Sequence, residues 1–576
     1  MRRRTPVRRL RGRLAAVSPA GWYAVAFTVA MLIPPWWASL SAARHGWWPD
    51  RDDAQIAMRT LDVLHGHLQL VGARSTAGLV SPDLSSHHPG PLEFYLLAVP
   101  LGITGGAPIG ILVGTALLHS VALVAIARAG WLLGGLRLVG FLAAASLVIS
   151  FATGNGNLFR PLNTGPPTFY LMLLPLAATL VLRGRPWWML VYAVSATLVA
   201  QAQLAYCPYV AALTLVLVVV GLVRWWRRRG TVWPLPGRGG PDALVGRPGW
   251  VTALVLGVLW ILPVVESLTH HPGNATQLWR YVRADKAPGR HQQGSVVDFL
   301  LHYLGRPVPG PFPDRVLAAV TLLVTVVLVL LTRVRLRDLG TAEARRRPWG
   351  TTEGLLAIFA ATGVPLEIMC LLLLLPKNLT FPPSQYWLTP LTVVGTMLWA
   401  TTAWMATLVI GPRLATSLPP TPVRIVATAA AWVAAVVVSV TSTTYAMAEN
   451  HVLSRAGAIA VQGVQRDLPP GTPVRVASGG ATAYDNPVAG ITYRLMRAGV
   501  FACGLLPWPL PESTDYRQWS ACPTSSPVVV AVLDDSEANR PNLPGAWHRL
   551  GTTSAYTASN RTPRSFTVYL VTPTSG

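Results

Sequence analysis

The chain has 576 residues, of which 52% are hydrophobic and only 12% charged, with a formal net charge of +24. Soluble domains carry about 25% charged residues, so this composition, with a mean hydropathy of +0.43, excludes a water-soluble globular chain and defines a membrane protein. The basic excess is almost all arginine and falls in short segments between apolar runs, where the positive-inside rule already places it; no nucleic-acid partner is expected.

The N-terminal segment 1–19, beginning "MRRRTPVRRLRGR", is strongly basic and is expected in the cytoplasm. From 20 to 447, apolar runs of bilayer length predict about eleven transmembrane helices. They lie near 20–41, 107–131, 136–153, 165–183, 186–205, 208–226, 248–268, 314–334, 352–375, 386–411 and 422–446. The first run is long and holds Pro34-Pro35-Trp36-Trp37, which fits a retained anchor better than a cleaved signal peptide. The run 92–104, "LEFYLLAVPLGIT", is too short to span comfortably and reads as an interfacial or re-entrant helix. With this count the arginine-rich connections 183–186, 224–230 and 333–348 share the cytoplasmic side with the N-terminus. The opposite side receives 154–164, 376–385, the longer outer loops 42–106 and 269–313, and the tail.

The tail, 448–576, changes character. "PVRVAS" (473–478), "PVVVAVLDD" (527–535) and "SFTVYLVT" (565–572) read as strands. "PVAGITYRLMRAG" (487–499) has helical spacing, with Pro487 suited to a first turn and Gly499 to a C-cap. A small extracytoplasmic α/β domain is predicted. Cys503 and Cys522 could close a disulfide in it if the compartment is oxidising; two unpaired cysteines are the alternative.

The first outer loop gathers Asp50, Asp52 and Asp53 in a chain with only 23 acidic residues. Ile56, Leu61 and Leu64 follow at near-helical spacing, so Asp52 and Asp53 would open a helix, capping free N–H groups and complementing its dipole. Capping explains one carboxylate, but mutual repulsion opposes crowding three. An adjacent pair at the membrane face can instead supply a general base beside an acceptor hydroxyl. The second acid would orient the first or hold a divalent cation, Mg or Ca, which the chemistry allows without requiring. Asp50 reads as a turn residue after Pro49.

The tetrapeptide His-His-Pro-Gly occurs twice, at 87–90 and 270–273, both in outer segments. His87, His88, His270 and His271 could hydrogen-bond a lipid phosphate or a sugar hydroxyl; the plainer reading is two Pro-Gly turns with solvated histidines. Outer cations suited to a departing phosphate are Arg160, Arg280, Arg283, Lys286 and Lys377, each also readable as an ordinary interfacial charge. Glu266 at the outer end of a span and Glu367 inside an apolar run are candidates for lining a cavity, since ionisable groups in a membrane are costly. Tyr386 is a further candidate there, as readily an interfacial anchor as a sugar-stacking residue. No zinc-ligand spacing stands out.

The acid pair directly after the first span, "RDDAQ" (51–55), resembles the motif of GT-C membrane glycosyltransferases. Its Asp-Asp form is similar to that of arabinofuranosyl- and mannosyltransferase-like enzymes of actinobacterial cell-wall synthesis. "SSHHPGPLEFYLLAVP" (85–100) also resembles the entry to the next helices in a group of actinobacterial GT-C-like proteins. The resemblance covers mainly the first hundred or so residues and the span pattern. It implies a GT-C-like helical fold in the plasma membrane and a polyprenyl-phosphate-sugar donor. The acceptor would be a glycan, lipid or protein hydroxyl at the outer face. It also implies inversion, with Asp52 or Asp53 as base. The alternative is a transporter or flippase of lipid-linked sugars. The absence of a convincing repeat and the concentration of polar features in outer loops favour surface chemistry.

Overall fold

The computed structural model of the protein describes residues 18–75, 86–153, 156–229, 246–283, 389–414, 420–449, 451–479, 487–504, 528–534, 543, 545–557 and 560–573. The spans expected at 314–334 and 352–375 lie outside these residues, as do Glu367, Lys377, Tyr386, Lys286 and Cys522.

Five helices among the described residues are long and apolar enough to cross a membrane. The first, α1 (Pro19–Arg44), starts where sequence chemistry allows it: the Ser18 hydroxyl accepts the Gly21 N–H at 3.2 Å, and Pro19 needs no donor in the first turn. After it come α2 (Arg51–Leu64), α3 (Leu92–Ile103) and the long element α4 (Pro108–Ala152). The expected spans 107–131 and 136–153 both fall in α4, which breaks at Gly135, where φ is 63°. A β-carbon on Gly130 would sit 3.5 Å from Val139 Cα. A straight helix would hold those residues about 13 Å apart, so the two halves fold back on each other. A positive φ of this kind is open to glycine at little cost.

The body continues with the single-turn α5 (Gly156–Phe159), α6 (Thr168–Leu182), α7 (Trp188–Ala202), α8 (Cys207–Arg229), α9 (Arg247–Thr269) and α10 (Asn274–Arg283). It closes with α11 (Thr389–Leu414) and α12 (Pro420–Glu449). At 15 residues each, α6 and α7 rise about 22 Å, less than the hydrocarbon thickness of about 30 Å. α6 is nonetheless buried on every side, from Thr168 to Leu180. It forms the centre of an apolar core with Leu123, Ile126, Leu142, Ile149 and Tyr206.

Chain direction sorts the polar segments. α1, α9 and α7 end, and α2, α3 and α6 begin, at the same end of the body: Gln201 near the end of α7 meets Gly90 and Leu92, and Asn274 after α9 meets His87. The arginine-rich turn 183–186 between α6 and α7, and Arg229 ending α8, fall at the opposite end.

The tail folds as α13 (His451–Asp467), β1 (Val474–Gly479), α14 (Pro487–Arg497), β2 (Ala502–Gly504), β3 (Val528–Asp534), β4 (Ala546–Thr557) and β5 (Asn560–Thr572). The sheet order is β2-β1-β3-β5-β4, with β1 parallel to β2 and β3, and β5 antiparallel to β3 and β4. Val474, Val476, Val530, Val532, Val568 and Leu570 pack on α13 and α14 through Ala460, Val464, Ile491 and Leu495. Period-two alternation sends Val529, Ala531 and Leu533 to the other face.

α14 belongs to two cores at once. Val488, Ile491 and Leu495 face the sheet, whereas Ala489 and Tyr493 join the core of the membrane body. Tyr493 donates to the Gly106 carbonyl at 3.0 Å and Arg497 to the Gly105 carbonyl at 2.7 Å. The tail therefore sits on the same end of the body as the first connecting loop.

Candidate active site

The acid cluster is divided by α2. Asp50 is the N-cap residue, in extended conformation and without a side-chain capping bond, and Asp52 and Asp53 occupy the first turn. Helical rotation sends them different ways: Asp52 is exposed, while Asp53 is wholly buried with Ala54, Ile56 and Ala57. Arg160, 107 residues on, donates from Nε to Asp53 Oδ2 at 2.5 Å. The other oxygen, Oδ1, is sealed from solvent and has no hydrogen-bond partner among the described residues. Burial pushes the Asp53 carboxyl up to about 7, and the charges of Asp50 and Asp52 push the same way, against the pull of Arg160.

A short braced segment presents Arg160. Asn157 donates to the Thr153 carbonyl at 3.0 Å, Thr168 donates to the Thr164 carbonyl at 3.0 Å, and Gly165 N–H closes a turn on Leu162 O at 2.6 Å. His119 Nε2 lies 3.1 Å from the Asn157 carbonyl, and Trp47 meets Phe159 edge to face at 6.2 Å.

The first His-His-Pro-Gly lies antiparallel to residues 72–75: Gly72 N–H bonds His88 O at 3.0 Å, and His88 N–H bonds Ala73 O at 2.8 Å. Arg74 is thereby paired across from His87. Burial, reinforced by the charges of Arg59 and Arg74, holds His87 well below its ordinary range, and burial holds His88 down at about 4. Both imidazoles are therefore neutral near pH 7 and act as hydrogen-bonding groups, with the positive charge coming from the arginines. Asn163 Nδ2 reaches His88 Nε2 at 2.5 Å. The other ring nitrogen, Nδ1, is buried and has no partner among the described residues.

The second His-His-Pro-Gly does something else. Its turn carries Asn274 onto the Glu266 carboxylate, whose oxygens accept the Asn274 N–H at 2.8 and 3.0 Å. The Asn274 side chain then accepts His87 N–H at 2.8 Å and donates to the His87 and His88 carbonyls at 3.2 and 3.4 Å. Glu266 is thus a buried brace, whereas the His271, Arg280 and Arg283 side chains lie exposed, Arg283 stacked on Trp279 at 4.4 Å. His270 is half-buried, its Nδ1 3.0 Å from the Thr269 hydroxyl.

Five site residues escaped sequence reasoning, Arg74 across from His87 among them. Glu93, in the first turn of α3, is 5% exposed, and burial together with the nearby Asp53 charge pushes its carboxyl well above the usual range. A carboxylate in the apolar run "PLEFYLLAVP" was the available signal. Arg59 is buried and donates to Gln69 Oε1 at 2.5 Å; Asn163 and Asn274, being neutral, left no charge pattern to read. Among the described residues no group of three or more His, Cys, Asp and Glu side chains is placed to hold a metal ion.

The fold and this cluster define a multi-pass membrane protein with a buried acid–arginine–histidine site at one end, under a docked α/β tail. Neither a protein-family model nor a curated protein matches the sequence. Among solved structures the chain is similar to ArnT from Cupriavidus metallidurans in the apo state, with a TM-score of 0.52 and 14% identity over 95% of this chain and 98% of that one. It matches the same protein bound to undecaprenyl phosphate with a TM-score of 0.52 and 13% identity, over 96% of this chain and 98% of that one. At this identity the likeness shows a shared fold along nearly the whole of both chains.

Proposed function

We propose that the protein is a membrane glycosyltransferase of GT-C type that moves a sugar from a polyprenyl-phosphate carrier to an acceptor hydroxyl. The observation that carries this reading is Asp53: a buried carboxyl near its midpoint at neutral pH, one oxygen on Arg160 and the other without a partner among the described residues. It occurs in a fold shared with a protein whose structure holds undecaprenyl phosphate. A carboxylate with a value near 7 is matched to taking a proton at neutral pH.

In this mechanism Asp53 removes the acceptor proton as the hydroxyl oxygen attacks the anomeric carbon from the face opposite the phosphate, which inverts the configuration. The carbon–oxygen bond to the phosphate breaks, and its electron pair leaves with the carrier. Arg59, Arg74 and Arg160 supply positive charge for that phosphate, and the neutral His87 and His88 supply hydrogen bonds. Asp52 tunes Asp53 through its charge. The arginine-rich end of the body would face the cytoplasm, placing the site and the tail at the outer face of the plasma membrane.

The test supplies radiolabelled polyprenyl-phosphate sugars to membranes carrying wild type, Asp52→Asn or Asp53→Asn at equal protein levels. Wild type and Asp52→Asn should transfer sugar, and Asp53→Asn should lose about 10²-fold or more. Equal transfer by all three sinks the base assignment; passage of intact donor without transfer makes the protein a flippase of lipid-linked sugars.

A further inference from the structure

Glu93 opens the helix beside the one that Asp53 opens. The C-terminal ends of α2 and α3 meet, since a β-carbon on Gly102 would lie 3.1 Å from Leu64 Cδ2 and one on Gly106 3.4 Å from Leu61 Cδ2, and at their starts the Asp53 charge acts on Glu93, so the two helices run in the same direction. Their first turns therefore share one end of the body, and α3, at 12 residues, is not a spanning helix. Asp53 and Glu93 are 0% and 5% exposed. Each keeps one sealed oxygen, Asp53 Oδ1 and Glu93 Oε1, with no hydrogen-bond partner among the described residues. Buried polar atoms in native proteins nearly always find partners. Two neighbouring exceptions, at the N-termini of two parallel helices, mark a place where a ligand completes the bonding.

The two carboxyls differ in what surrounds them. Arg160 holds its guanidinium against Asp53 and favours the ionised form. Burial and the Asp53 charge act on Glu93 in the opposite sense and keep its proton in place. A charged Glu93 would also repel an anionic phosphate, whereas a neutral carboxylic acid can donate to one.

Building on the transferase reading, we propose that Glu93 is the second catalytic carboxyl, donating a hydrogen bond from its acid form to the carrier phosphate oxygen that leaves the sugar. The acceptor proton passes to Asp53, the acceptor oxygen bonds the anomeric carbon, and the electron pair of the broken bond goes to the phosphate oxygen held by Glu93. Glu93 keeps or regains its proton, so nothing further is consumed.

Glu93→Gln, Glu93→Leu and wild type test this with polyprenyl-phosphate sugars across pH. Gln retains a neutral donor, so kcat should fall by less than about tenfold; Leu should lose about 10²-fold in kcat, the usual reach of a proton-donating group. In wild type the rate should fall at alkaline pH as Glu93 loses its proton, and this limb should vanish in Glu93→Gln. A wild-type kcat in Glu93→Leu, or an unchanged alkaline limb in Glu93→Gln, overturns the assignment. If wild type itself transfers no sugar, the transferase reading fails separately. Glu93 is then judged by undecaprenyl phosphate binding at pH 7, which Glu93→Leu should weaken at least tenfold; equal binding overturns it.

Discussion

Asn274 clasps the backbone of His87 in both directions, accepting its N–H at 2.8 Å and donating to its carbonyl at 3.2 Å, across 187 residues of chain. The two His-His-Pro-Gly copies are thereby joined. The second turns the chain so that the next residue can hold the first copy in place. Gly273 is needed for that turn, since a β-carbon there would lie 3.0 Å from Ser267 Cα and 3.2 Å from the His270 carbonyl.

Replacing Asn274 with Ala strands the buried His87 N–H and carbonyl, while the backbone N–H that bonds the Glu266 carboxylate remains. Each stranded polar group costs about 1–3 kcal/mol. Asn274→Ala should lower the Tm of the detergent-purified protein by several degrees and reduce sugar transfer, because His88 is the next residue in the clasped segment. Glu266→Gln, which retains one acceptor for the Asn274 N–H, should be milder than Glu266→Ala. Thermal unfolding and transfer assays on all three variants check this, and an unaltered Asn274→Ala would show that the clasp holds nothing.

Burial raises the Asp53 carboxyl and the Arg160 guanidinium pulls it partly back. Asp53 accepts a proton only when ionised, so kcat/KM should rise with pH through about 7. Arg160 pulls that midpoint down, so Arg160→Gln should move the acid limb to higher pH as well as lower the maximum. Stability follows the opposite sense. The folded-state value lies above the ordinary 3.8, so the folded protein holds a proton that the unfolded chain releases. That contribution is complete below pH 3.8 and lost as pH rises through about 7. Relative to Asp53→Asn, the wild-type Tm should therefore decline over that interval, which a pH series of melts would reveal.

Gly165 guards the loop that presents Arg160. A β-carbon there would sit 2.9 Å from the carbonyl oxygens of both Arg160 and Asn157, backbone atoms that cannot swing aside. Gly165→Ala should shift Arg160 and cost about 10²-fold in transfer, as small misplacements of reacting groups do, with expression near normal. Gly221→Ala is the control, since nothing lies within 4 Å of a β-carbon at that position.

Charge was the legible part of this site. Asp53 and Arg160 both stand out in a chain this poor in charges outside its basic loops, and the structure joins them. Which aspartate turns inward was not legible, because adjacent residues in a first turn differ only by a rotation that the packing of α2 decides. The neutral groups were invisible for another reason: Asn163 and Asn274 act by geometry, and their sequence surroundings resemble any polar turn. Strand runs in the tail were visible as valine-rich segments, but the edge strand Ala502–Gly504 is too short to have a period. The reversal at Gly135 falls in the gap between the expected spans 107–131 and 136–153, where a Gly-Gly pair marks it.

The docked tail yields the last prediction. Trp48 lies between Tyr493, 5.7 Å between ring centroids, and Arg494, whose guanidinium sits 4.7 Å above the indole. Arg494 is itself tied to the Ser454 hydroxyl at 2.9 Å. Between these contacts the α14 backbone comes close enough to the acid loop that a β-carbon on Gly490 would lie 3.1 Å from both Asp50 Cα and the Pro49 carbonyl. Asp50 is the N-cap of the helix that carries Asp53, so the tail rests against the start of that helix. Gly490→Val should wedge the two apart, expose the tail to protease and lower transfer. Tyr493→Phe, which removes one hydrogen bond to Gly106 and leaves the ring, should cost only about 1 kcal/mol. Limited proteolysis beside transfer assays separates the outcomes. Protease release with full transfer would make the tail an accessory, whereas parallel loss would make it part of the machinery that orients Asp53.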